Sequence, residues 1–122
     1  MGPAPPGRLT PGAPLAETTV AYRARVTTTH VVLVSWRDGE ADRAEQVVRP
    51  LVADFPQSIP GVLSVAEGRS TSPEGKEEGY DYALVVTFAS PEARDAYLPH
   101  PAHQPVAEAI GAHADKVVVF DV

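Results

Sequence analysis

From Thr29 to Trp36 the chain is almost wholly β-branched, apolar or aromatic, a composition that suits a pleated strand. Alternation places His30, Val32, Val34 and Trp36 on one face and Val31, Leu33 and Ser35 on the other. Both faces are mostly apolar, which predicts a strand covered on both sides. Asp38-Gly39 ends it. From Ala41 to Phe55 the period changes: Ala44, Val47, Val48, Leu51 and Phe55 recur at helical spacing, with Pro50 inside and expected to kink the helix. Pro56 and Pro60 enclose the next turn, and Gly61–Glu67 reads as a second strand. A polar, Gly-containing loop follows. Tyr80–Phe88 is the strongest strand pattern, with Tyr80, Tyr82, Leu84, Val86 and Phe88 sharing one face. Ser90-Pro91-Glu92 then marks a helix start: a serine N-cap, proline at the first helical position and an acid in the first turn. That helix is predicted to run to Tyr97 or Leu98, where Pro99 and Pro101 break it. Pro105–Ala112 reads as another helix with Val106, Ala109 and Ile110 on one side, and Lys116–Val122 as the last strand.

The order β-α-β-β-α-α-β predicts an α+β, ferredoxin-like plan: a four-stranded antiparallel sheet with helices on one face. The other face then carries Val31, Leu33 and Val85, too much apolar surface to leave in water. A second copy of the chain is the simplest cover, so the sequence predicts a homodimer. Residues 1–25 differ in kind. They hold five of the 13 prolines without apolar periodicity and read as a Pro-rich flexible tail before a domain at 26–122.

Composition narrows the function classes. A length of 122 residues is one domain's worth. A net charge of −6 gives no electrostatic footprint for nucleic acid. The lack of cysteine removes disulfides, thiolate catalysis and cysteine zinc sites. No apolar run approaches membrane-spanning length and no signal peptide is evident, so no membrane partner and a cytoplasmic location are the expectations.

Four histidines, His30, His100, His103 and His113, are the side chains that titrate near neutral pH unaided. His100 and His103 have a spacing that serves zinc on a helix, but Pro101 interrupts that geometry, and no metal is expected. No nucleophile motif and no Gly-rich phosphate loop is present, so no cofactor is expected either. In the segment Tyr97-Leu98-Pro99-His100-Pro101-Ala102-His103 the residues by themselves read as His100 capping a loop and His103 as a hydrogen-bonded structural residue.

That segment carries a resemblance. Together with His30 opening the first strand, Ile59-Pro60-Gly61-Val62, Gly68, Gly79-Tyr80, Phe88 and the terminal Val119-Phe120-Asp121, it resembles the stress-responsive dimeric α/β-barrel (Dabb) family from about Thr29 to Val122. The resemblance implies a homodimer whose two sheets pack back to back into a dimeric α/β barrel. It also implies a cofactor-free, aldol-type ring closure of a linear poly-β-ketone. In that reading His103 matches the general base, Tyr97 its partner and His30 a polar anchor across the cavity. Val32, Val34, Val48, Val52, Leu84, Val117 and Val119 match apolar wall positions for an apolar or polyketide-like ligand. Two other classes stay open within the resemblance: a non-catalytic stress-responsive or small-ligand-binding homodimer, and a cofactor-free monooxygenase.

Overall fold

The computed structural model describes residues 26–122; the Pro-rich segment 1–25 lies outside the described residues. The elements run β1 (Thr28–Trp36), α1 (Ala41–Ala53), α2 (Phe55–Ser58), β2 (Val62–Arg69), β3 (Tyr82–Phe88), α3 (Pro91–Tyr97), α4 (Gln104–His113) and β4 (Ala114–Asp121). The four strands form one antiparallel sheet in the order β2-β3-β1-β4. This is the ferredoxin-like plan that the sequence predicts, with β1 and β3 central.

Burial alternates strictly along both central strands. His30, Val32, Val34 and Trp36 of β1 and Tyr82, Leu84, Val86 and Phe88 of β3 are all buried beneath the helices. Above them α1 contributes Ala44, Val48 and Val52, α2 contributes Phe55, α3 contributes Tyr97, and α4 contributes Val106 and Ile110. Burying a Val, Leu or Phe side chain in this way contributes about 1.5–3 kcal/mol each. The N-terminus of α3 forms as its sequence dictates: the Ser90 hydroxyl accepts the Ala93 N–H at 3.1 Å, and Pro91 fills the first helical position, where no donor is needed.

The opposite sheet face is less covered. Val31, Leu33 and Val85 are half-buried there, while Val118 and Phe120 of β4 are 38% and 67% exposed. Among the described residues no helix is long and apolar enough to cross a membrane.

Two elements differ from the sequence expectation. The single helix expected over Ala41–Phe55 runs through Pro50 but ends at Ala53, and a separate short helix begins at Phe55. Pro56 cannot donate to the Val52 carbonyl, so α1 cannot continue its ladder through it. Tyr80 does not share the core face of β3. Gly79 turns the chain at φ +88, and the Tyr80 ring instead lies under the Lys116 ammonium, 4.8 Å from its centroid. The Asp81 carboxylate accepts the Trp36 backbone N–H at 2.8 Å, replacing regular strand pairing at that corner.

Candidate active site

A cavity of about 540 Å³ lies between β1 and β4 on one side and α3 and α4 on the other. That volume suits a small-molecule ligand. Its walls are mainly apolar: Val32, Leu84, Val117 and Val119 from the sheet, with Leu98, Val106 and Ile110 from the helical side. The polar side chains on it are His30, Arg94, Asp95, Tyr97, His103 and Asp121.

The prolines between α3 and α4 shape the roof. Tyr97 is the last residue of α3; its carbonyl accepts the His100 N–H at 3.0 Å, and the His100 carbonyl accepts the His103 N–H at 2.9 Å. Two successive turns therefore replace the helix that Pro99 and Pro101 forbid. They bring the His103 ring to 4.4 Å from the Tyr97 ring. A continuous helix would place residues six apart on different faces. His100 takes no part in the cavity: its Nδ1 accepts the Ala102 N–H at 3.0 Å and caps the turn.

His103 Nδ1 donates to the Leu98 carbonyl at 2.9 Å, since a carbonyl only accepts. In the neutral ring this leaves Nε2 unprotonated. Burial holds the His103 pKa below the ordinary histidine value, and the nearby His30 ring adds to this against the opposing Leu98 hydrogen bond. Tyr97 is 1% exposed, and burial raises its phenol well above the ordinary tyrosine range, so it remains a protonated donor. Among the described residues its hydroxyl has no hydrogen-bond partner. The ring itself is held by Phe55 at 5.5 Å and Phe88 at 4.9 Å. His30 stands 5.7 Å away and edge-on, so that the phenol ring contacts both imidazoles.

Of the wall positions expected from the sequence, Val32, Leu84, Val117 and Val119 line this cavity. Val34, Val48 and Val52 do not; each is at most 1% exposed within the closed core. That end of the helical layer is shut, because α1 packs directly on α4 and the Trp36 indole N–H is tied to buried Glu45 at 3.0 Å. Arg94, Asp121 and the α4 face also line the cavity, although the sequence pattern alone does not assign them to the site. A signal for Asp121 was there: it continues the alternation of Val117 and Val119, an acid ending an apolar strand face.

An antiparallel ferredoxin-like sheet with a helix-roofed apolar cavity, its wall carrying His30, Tyr97 and His103, defines an α+β domain of the ferredoxin-like class. More specifically, the chain belongs to the stress responsive A/B barrel domain (Dabb) family, whose model matches residues 28–122. It is 26% identical over 92 residues to olivetolic acid cyclase of Cannabis sativa, a match covering 75% of this chain and 91% of that protein. It is 32% identical over 93 residues to stress-response A/B barrel domain-containing protein HS1 of Arabidopsis thaliana, covering 75% and 84% respectively. Among solved structures it is similar to a dimeric ferredoxin-like protein from Jannaschia sp. CCS1, with a TM-score of 0.73 and 25% identity over 80% of this chain and 98% of that one.

Proposed function

We propose that the protein is a cofactor-independent cyclase that closes a ring in a linear poly-β-ketone by an intramolecular aldol step. The observation that carries this reading is the unprotonated Nε2 of His103 beside the buried Tyr97 phenol in an apolar cavity. A methylene between two carbonyls is acidic enough for an imidazole base. His103 Nε2 takes its proton, the resulting enolate carbon attacks a distant carbonyl of the same chain, and the new alkoxide recovers the proton from His103. The Tyr97 hydroxyl donates a hydrogen bond to the oxygen on which charge develops. The apolar walls fold the flexible chain so that its reacting ends meet, which lowers the entropic part of the barrier. The similarity to olivetolic acid cyclase supports the same substrate class.

Incubating the protein with linear tri- and tetra-β-ketone thioesters and following products by mass spectrometry tests the reading. Cyclised product above the buffer rate is the expected result. No acceleration with any chain length would overturn it and leave the ligand-binding alternative.

The pH dependence has a defined sign. Because burial holds His103 below the ordinary value of 6.5, the acid limb of kcat/KM should have its midpoint on the acid side of 6.5. Tyr97, raised above 10, should impose no alkaline limb up to that pH. A pH–rate profile whose acid limb has its midpoint above 6.5 would contradict the assignment of His103 as base.

The working unit in this reading is a homodimer joined through the open sheet face, which the dimeric state of the Jannaschia relative supports. Val85 sits on central strand β3, opposite Val31 on one side and Ala66 on the other. Val85→Arg should therefore give a folded monomer by light scattering at micromolar concentration, since a desolvated unpaired charge at an interface is strongly unfavourable. A Val85→Arg protein that remains dimeric would move the interface elsewhere.

A further inference from the structure

Asp121 and Arg94 stand on the cavity wall, and neither has a part in the chemistry above. Thr29 and Val122 exchange both backbone hydrogen bonds, at 2.6 and 2.8 Å. The next pair along the ladder, His30 and Asp121, is therefore a non-hydrogen-bonded antiparallel pair, the kind whose side chains approach most closely. Both point to the helix side. His30 Nδ1 donates to Asp121 Oδ1 at 2.7 Å, and Arg94 Nη1 of α3 donates to Asp121 Oδ2. Arg94 is itself fixed, its Nε donating to Asp95 at 2.8 Å. Burial pushes the Asp121 carboxyl up, but the two donors outweigh it and keep the group an anion. His30 is 4% exposed, and among the described residues its Nε2 has no hydrogen-bond partner.

We propose that Asp121, held by Arg94, is a positioning residue that locks His30 in the Nδ1–H tautomer and so makes its Nε2 a second proton acceptor in the cavity, beside the same Tyr97 ring that His103 contacts. The inference rests on the cyclase reading and extends it from ring closure to the loss of water that follows. After the carbon–carbon bond forms, the attacking carbon still carries a proton between two carbonyls. His30 Nε2 takes that proton, and the C–H electron pair is released into the adjacent carbonyl as an enolate. The enolate electrons then form the ring C=C as the carbon–oxygen bond breaks. The departing hydroxide takes the proton from His30 and leaves as water, which returns the imidazole to its starting state. Asp121 stabilises the imidazolium in between, as a buried carboxylate does for the histidine of a serine-protease triad. Each imidazole thus moves one proton from carbon to oxygen.

Asp121→Asn tests this. Arg94 needs an acceptor, so it should claim the amide oxygen and leave the amide N–H facing His30. His30 must then present an unprotonated Nδ1 and carry its proton on Nε2. Long-range 1H–15N correlation of the histidine rings at alkaline pH should show Nδ1–H for His30 in wild type and Nε2–H in Asp121→Asn. Adding Arg94→Ala to Asp121→Asn frees the amide to turn its oxygen to His30 and should restore Nδ1–H. Asp121→Asn should lower kcat by ~10²–10⁴-fold with little change in KM, in line with the about 10⁴-fold cost of a mis-set tautomer in a triad. Nε2–H in wild-type His30 overturns the proposal without any variant. Wild-type kcat in an Asp121→Asn protein with the flipped tautomer overturns the role of His30 in proton transfer. If the wild type turns over no poly-β-ketone, the cyclase reading fails, and the tautomer measurement alone still decides whether Asp121 positions His30.

Discussion

His103→Ala is expected to abolish ring closure while the fold and the dimer persist. In the proposed mechanism the imidazole is the proton acceptor, and a positioned general base typically contributes ~10²–10⁴-fold in rate. Its structural contribution is small by comparison. His103 makes one side-chain hydrogen bond, to the Leu98 carbonyl at a partly exposed turn, and is only half-buried. Losing such a bond costs about 1 kcal/mol, or a few degrees in melting temperature for a domain this size. Tyr97→Phe separates chemistry from packing more sharply. It keeps the ring that packs on Phe55, Phe88 and His30 and removes only a buried hydroxyl with no partner among the described residues. Stability should hold or rise, whereas turnover should fall by about 10²-fold or more for one lost oxyanion donor. Product formation and melting temperature, measured on both variants, decide the matter. A His103→Ala protein with full activity would end the general-base assignment. A Tyr97→Phe protein that loses stability but not rate would make the phenol purely structural.

Gly61→Ala is expected to be the most destabilising of the conservative glycine substitutions. Gly61 has φ +86, and a Cβ there would lie 2.5 Å from the Ala93 Cβ. Its carbonyl accepts the Ala89 N–H at 2.8 Å, so the turn cannot swing away without giving up that bond. The left-handed backbone costs an alanine about 1–2 kcal/mol and the overlap a further 1–3 kcal/mol, together roughly ten degrees or more in melting temperature. Ala93 is one helical turn before Tyr97 and adjacent to Arg94, so relieving the overlap displaces α3 and the cavity groups it carries. Gly39→Ala is the internal control: φ is +78, but nothing lies within 4 Å of the added carbon. It should show the backbone cost alone. If Gly61→Ala proves no worse than Gly39→Ala, the close approach to α3 is not what holds that helix in place.

The sheet and its two faces were legible because they depend on period-two alternation, which is local. The faces assigned to β1 agree residue by residue with the observed burial, and those of β3 agree from Tyr82 onward. Ser90-Pro91 marked the start of α3 for an equally local reason, since the serine and the missing proline donor satisfy the helix end by themselves. Tyr80 was misplaced because alternation cannot register a side chain, Asp81, taking over a backbone hydrogen bond from a strand distant in sequence.

The site divides in the same way. His30, Tyr97 and His103 were singled out by residue type and by the family pattern, and the two turns forced by Pro99 and Pro101 were implicit in the chain. The cavity wall was not. Val34, Val48 and Val52 are as apolar as Val32, Val117 and Val119, and only the closure of α1 onto α4 places the first three in the core and the others on the cavity. The partnership of His30, Asp121 and Arg94 lay further still beyond reach. It requires the register of β4 on β1 and the packing of α3 above them, and both are set by long-range burial, which outweighs anything that neighbours in sequence can specify. The sequence by itself determined the order of strands and helices and which side chains are available for chemistry; the tertiary structure alone decided which of those side chains meet.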